Sequence, residues 1–252
     1  MSNKVVLVIC DGLGDDFARE RMGYLEHLVE ERRATRYTSR AVLPTMSRPN
    51  YETLHTGVVP AVHGIVSNGV VRKSNLPNIF RLAKQGGLVT AAVAFFWVSE
   101  LYHESPYDPV RHIEYDYPEA GITHGRFYVA NDEPDSETLT RGVSLARRFD
   151  PSYLLVHPMG VDLAGHRHGR DSGEYNRAVT YMGDGLARAV PAWLDLGYSV
   201  LVTADHGHDA HKQHGGTTDD VRNVPLYAIR PDGSGLGIQD QQASQLQVAP
   251  TV

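Results

Sequence analysis

Six side chains of metal-binding type follow apolar runs or lie within a few residues of them. Asp11 directly follows Val5–Cys10 and precedes Gly12. Asp162 and His166, spaced Asp-x-x-x-His, come just after the apolar run Ser152–Val156. Asp205 and His206 follow Tyr198–Thr203 and precede Gly207, and His214 lies in the same loop, before Gly215-Gly216. Carboxylates and imidazoles together suit Zn²⁺, and also Mn²⁺ or Fe²⁺. Four donors suffice for one ion, so six suggest two. Two ions about 4 Å apart can clamp the attacking and leaving oxygens of an in-line phosphoryl displacement. A hydroxyl is available too. Thr45 and Ser47 precede a helical stretch reaching about His55, whose N-terminus would favour an anion. Either could instead be an N-cap. Singly, each motif has an ordinary structural explanation: Asp-Gly is a common turn, and Asp-x-x-x-His is a common helical surface pair. Three such motifs at the ends of apolar runs are poorly explained by chance.

Elements of alternating type must position these residues. Apolar runs at Val5–Cys10, Tyr37–Leu43, Leu88–Phe95, Ser152–Val156, Tyr198–Thr203 and Pro225–Ile229 read as strands. Between them, Met22–Ala34, Asn78–Gln85, Asp135–Phe149 and Gly173–Leu196 carry helical patterns, the last broken at Pro191. Strands separated by helices imply βαβ units, hence an α/β fold with a largely parallel central sheet and helices on both faces. Ligands bind such sheets at the C-terminal ends of the strands, where the six side chains fall. Residues 97–134 lack clear periodicity and are expected to form a small inserted cap on a single catalytic domain spanning 1–252.

Composition bounds the class. The chain has 252 residues, 41% hydrophobic and 21% charged, as expected of a globular protein. A net charge of −6 argues against a dedicated binder of nucleic-acid polymers. It leaves phosphate chemistry open, because bound metal reverses the local field. Cys10 is the one cysteine, which excludes an internal disulfide and any multi-thiolate zinc site. The apolar run after Lys4 is too short for a membrane span and has no secretory cleavage region after it. The expectation is a soluble, cytoplasmic protein without a membrane partner.

Four motifs in order carry a resemblance over most of the chain: Asp11-Gly12; Pro49-Asn50 through Thr56-Gly57, His63-Gly64 and Asn68; Asp162-x-x-x-His166; and Asp205-His206-Gly207 followed by His214-Gly215. The chain resembles the alkaline phosphatase superfamily, and within it the nucleotide pyrophosphatase/phosphodiesterase branch. The resemblance implies one metal on Asp11, Asp205 and His206, and another on Asp162, His166 and His214. It implies Ser47 as nucleophile between them, two residues before Pro-Asn, in preference to Thr45, and Asn68 as stabiliser of a phosphate oxygen. Many relatives have Thr where Ser47 stands. The Cys-x-Pro-x-Arg of sulfatases is not found at Cys10. In larger relatives a long insertion precedes the last His; here the loop is short, and His208 and His211 could compete as ligands.

The expected activity is metal-dependent hydrolysis of a phosphodiester or pyrophosphate through a phospho-serine intermediate. The expected cofactors are two divalent ions, Zn²⁺ first and Mn²⁺ or Fe²⁺ next. The expected partner is a small phosphate ester such as a nucleotide. Arg48 beside the nucleophile could meet a second phosphate or a carboxylate, and Tyr51 and Trp97 could stack a base. A monoesterase or phosphonate hydrolase of the same superfamily is the alternative, with a phosphomutase or a non-catalytic metal-binding protein further off.

Overall fold

The computed structural model describes residues 4–252. Ten strands form one sheet: β1 (Lys4–Ile9), β2 (Ala34–Arg40), β3 (Thr90–Phe95), β4 (Glu114–Asp116), β5 (His124–Tyr128), β6 (Tyr153–Val156), β7 (Tyr198–Thr203), β8 (Asn223–Ile229), β9 (Gly237–Ile238) and β10 (Ala243–Ser244). Their order is β10-β2-β8-β7-β1-β6-β3-β5-β4, with β9 also on β2. β8 runs antiparallel to β2 and β7, and β4 antiparallel to β5; every other pairing is parallel.

The continuous apolar runs are explained by burial on both faces. In β1, Val6 and Val8 point into one core with Met182, Leu186 and Trp193, whereas Leu7 and Ile9 point into the other with Tyr51, Leu54 and Phe80. β3, β6 and β7 divide their side chains in the same way. β7, β1 and β6 lie side by side at the centre. Val8 pairs with both Val156 and Val202, so the three strands end at nearly one level.

Local expectations shift in four places. The helix expected over Met22–Ala34 occupies Gly23–Glu30, and Arg32, in the left-handed region at φ 53°, turns the chain into β2. The second strand is therefore Ala34–Arg40 rather than Tyr37–Leu43. Pro191 does not break the helix Gly173–Asp195; it lies near its end, where the missing N–H removes one bond. Of the segment expected as a cap, β4 and β5 instead extend the sheet beside β3. The helices Phe96–Tyr102 and Pro109–His112 stay outside it.

Candidate active site

The residue pairing of Ile9 with Thr203 brings Asp11 and Asp205 to the same level, two residues beyond β1 and β7. Asp162 reaches them from the helix Gly160–His168 that follows β6. Gly12 permits that approach. It has φ +76°, and a Cβ there would stand 2.7 Å from the Asp162 Cα.

Two donor groups result. Asp11, Asp162 and His206 form one, all buried; Asp162, His166, His208 and His214 form the other. In the first, His206 Nε2 lies 3.5 Å from Asp11 Oδ1 and 3.2 Å from Asp205 Oδ2. Both oxygens are buried without a hydrogen-bond partner among the described residues. Ser47 Oγ is 3.1 Å from the same nitrogen. In the second, His166 Nε2 lies 3.5 Å from Asp162 Oδ1 and 3.2 Å from His214 Nε2. The ring contacts give the tautomers. His206 Nδ1 faces Gly207 O at 3.1 Å and His214 Nδ1 faces Thr45 O at 2.9 Å. A proton donated there leaves each Nε2 lone pair free for a metal.

Charge supports the same fit. Burial, then the negative charges of Asp11 and Asp162, push the Asp205 carboxyl well above the carboxylate range. Burial and Asp11 push Asp162 up to about 7. Burial would raise Asp11 as well. The His157 hydrogen bond outweighs it, with His206 and Tyr51, and holds Asp11 below the usual range. Burial lowers His206. Three buried carboxylates crowded together are relieved by cations.

The loop before the helix Ser47–Thr56 separates the two hydroxyls. Thr45 Oγ1 donates to Gly216 O at 2.9 Å, tying down the His214 loop. Ser47 opens the helix Ser47–Thr56 with its oxygen toward His206. Asn50 Nδ2 donates to Asp205 O at 2.6 Å, docking this helix on the β7 loop. Asn68 Oδ1 accepts from the Arg48 N–H at 3.0 Å, which leaves its Nδ2 as the free donor.

Two expected substrate contacts are corrected. Arg48 is 1% exposed, pairs with Glu100 at 2.8 Å and lies 4.6 Å from the centre of the Trp97 ring. Its charge is thus neutralised inside the protein. Tyr51 is fully buried and donates its hydroxyl proton to Asp11 Oδ2, so it faces the carboxylate rather than a base. Trp97 is half-buried beside Phe95 and Phe96. His211 is exposed, whereas His208 is buried with Nε2 2.7 Å from Asp162 Oδ1. A side chain on Gly165 would collide with the His208 ring. Sequence reasoning missed His157, which immediately follows β6 and meets Asp11 Oδ2 at 3.0 Å. An imidazole directly after an apolar strand was the available signal.

His103, Glu104 and His112 also cluster. There the His112 Nδ1 accepts the Asp108 N–H at 3.0 Å, which puts the ring proton on Nε2, 3.2 Å from Glu104. With its proton on Nε2 and its Nδ1 lone pair given to a backbone N–H, the neutral ring offers no nitrogen lone pair to a metal.

Known proteins are similar to this chain in sequence and in fold. The human GPI ethanolamine phosphate transferase 2 catalytic subunit is 28% identical over 249 residues, covering 90% of this chain and 23% of its own length. The rat ectonucleotide pyrophosphatase/phosphodiesterase family member 3 is 25% identical, covering 68% and 20%. The chain thus spans about a quarter or less of these relatives. Murine ectonucleotide pyrophosphatase/phosphodiesterase 5, solved as an inactive variant with AMP, superposes with a TM-score of 0.75 at 13% identity, covering 98% of this chain and 93% of that one. Phosphonoacetate hydrolase from Sinorhizobium meliloti superposes at 0.57 with 21% identity, covering 81% and 56%. The expectation of a cytoplasmic protein is overturned, because the matched relatives are named as GPI-modifying, ecto- and venom enzymes. No helix among the described residues is long and apolar enough to cross a membrane. Residues 5–250 match the model of type I phosphodiesterase/nucleotide pyrophosphatase, and the chain belongs to that family.

Proposed function

We propose that this chain is one catalytic unit of a metal-dependent hydrolase that cleaves a phosphodiester or pyrophosphate bond in a small phosphate ester such as a nucleotide. The observation that carries the reading is the Ser47 hydroxyl, 3.1 Å from His206 Nε2, beside two groups of convergent donors. Asp11, Asp205, His206 and Ser47 would hold one divalent cation, and Asp162, His166 and His214 the other. Zn²⁺ suits this donor set best. When bound, the cations would neutralise the nonbridging phosphoryl oxygens and lower the pKa of the serine hydroxyl.

The remaining work falls to the chain itself. Ser47 occupies the first turn of a helix, where free N–H groups and the dipole favour an anion. Asn68 Nδ2 donates to a phosphoryl oxygen as its charge grows. The Ser47 Oγ–P bond forms as the P–O bond to the leaving group breaks, so the phosphorylated serine still carries the substrate's other ester group. Water then attacks that phosphorus, the Oγ–P bond breaks, and the phosphate monoester and free Ser47 are released. Because Glu100 neutralises Arg48, a second phosphoryl charge meets no free guanidinium from that residue. This favours a singly charged diester over a monoester. Trp97, with Phe96, offers a half-buried aromatic surface for the leaving group.

Steady-state rates on a nitrophenyl diester and a nitrophenyl monoester test the substrate, and serine substitution tests the chemistry. The diester is expected to turn over faster. Ser47→Ala is expected to lower kcat by about 10³-fold or more, with metal content nearly intact and Thr45→Ala still active. Activity that survives Ser47→Ala but not Thr45→Ala would transfer the role to the other hydroxyl. Faster monoester turnover would refute the diester assignment.

A further inference from the structure

The buried groups around Asp11 include two that the chemistry above does not use. Asp11 is 0% exposed, and its two oxygens have opposite surroundings. Oδ2 receives the Tyr51 hydroxyl and, at 3.0 Å, His157 Nε2. Oδ1 has no hydrogen-bond partner among the described residues and faces His206 Nε2 at 3.5 Å.

The His157 proton is assigned by its neighbours. Its Nδ1 accepts the Phe95 N–H at 3.3 Å. The Tyr128 hydroxyl, also near Nδ1, donates to the His157 carbonyl at 2.5 Å. A neutral ring accepting at Nδ1 carries its proton on Nε2, where it points at Asp11. That is the reverse of His206 and His214, whose Nδ1 atoms face carbonyls. His157 therefore belongs with the hydrogen-bond donors to Asp11 and not with the metal-facing imidazoles.

Tyr51 supplies the second donor from a different element. It stands four residues after Ser47 on the same helix, so both side chains share one face. Its ring meets His157 edge-on, with centroids 4.8 Å apart.

We propose that His157 and Tyr51 are positioning residues that together clamp Asp11 Oδ2, leaving Oδ1 as the one oxygen presented to the cation shared with Asp205, His206 and Ser47. The clamp joins the end of β6 to the nucleophile helix through one carboxylate, so the aim of Asp11 and the placement of Ser47 are set together. The inference rests on the two-cation reading above.

Metal binding tests it without recourse to turnover. Metal-free protein is titrated with Zn²⁺ in competition with a chromophoric chelator, alongside far-UV circular dichroism and thermal melts. Wild type is expected to take up two ions. Tyr51→Phe, which removes a single hydroxyl, and His157→Met, which keeps bulk without a donor, are each expected to weaken one of the two ions by about 10–100-fold, leaving the other unchanged. His157→Gln, whose amide can reach the same oxygen, is expected to recover most of the loss. Unchanged affinity for both ions in Tyr51→Phe and His157→Met overturns the clamp, even if the melting temperature falls, since that would show packing alone. Equal weakening of both ions also overturns it. If His157→Met does not fold, Tyr51→Phe decides. Wild type that binds fewer than two ions would defeat the two-cation reading itself, a result distinct from failure of the clamp.

Discussion

His55 shows how one buried side chain in the helix Ser47–Thr56 couples stability to pH. Its Nδ1 faces the Tyr51 carbonyl at 2.8 Å and its Nε2 faces the Tyr153 hydroxyl at 3.0 Å, so both ring nitrogens are used by the neutral form. It stacks on Phe80 in an aromatic cluster. Burial lowers its pKa from 6.5 to about 4. The unfolded chain therefore binds a proton at this residue that the folded chain refuses between those values. The stability involved is fully present above pH 6.5 and is lost as pH falls through 4. Denaturant unfolding at pH 7.5 and 4.5 is expected to show about 2 kcal/mol more loss in wild type than in His55→Gln. Equal losses in the two proteins would show that His55 titrates normally.

At the scale of elements, the Arg48–Glu100 pair joins the helix Ser47–Thr56 to the helix Phe96–Tyr102. Both side chains are nearly inaccessible, and Glu100 Oε1 also accepts the Tyr107 N–H at 3.1 Å. Breaking a buried pair leaves an uncompensated charge, which costs about 3–5 kcal/mol. Glu100→Gln keeps the shape and removes the charge, so it is expected to destabilise the protein by roughly that amount in urea unfolding. A change below about 0.5 kcal/mol would mean that water reaches Arg48 and screens it. Because Arg48 adjoins Ser47, the pair also holds the start of the helix Ser47–Thr56. An alanine scan of exposed charges such as Glu20 and Glu137 offers the contrasting baseline.

The whole molecule concentrates opposing demands at one sheet rim. Asp11, Asp162 and Asp205 converge from three adjacent central strands and their loops, and the cores on both faces hold those strands rigid. Cations that bind only the folded chain stabilise it by mass action, about 4 kcal/mol at a thousandfold excess over Kd. For a chain of this size each kcal/mol shifts Tm by about 2–4 °C. Chelator-treated protein is accordingly expected to melt about 10 °C lower than protein supplied with Zn²⁺, and to recover when the metal is returned. An identical Tm in both states would show that the donor groups do not bind metal in the folded protein. On the proposed two-cation arrangement, the ion nearer His166 is expected to leave first, since that side chain is 45% exposed whereas Asp11, Asp205 and His206 are closed off.

Much of this was legible in the residues themselves. Val5–Cys10 and Tyr198–Thr203 announce buried strands by composition alone, because a strand covered on both faces must be apolar throughout. Asp11, Asp162, His166, Asp205, His206 and His214 stand out because their motifs lie after such runs. Long-range pairing decided the rest. β5 is a strand because it pairs with β3 more than thirty residues earlier, a relation that no local period records. Arg48 and Tyr51 read as substrate contacts because they adjoin Ser47 in sequence, but helix geometry turns one toward Glu100 and the other toward Asp11. His157 carries no motif, and only the packing of Phe95, Tyr51 and Asp11 around it assigns its proton and its partner. Residue type and order thus determine which chemistry is available, whereas the direction of each side chain depends on neighbours distant in the chain, which only the folded structure brings together.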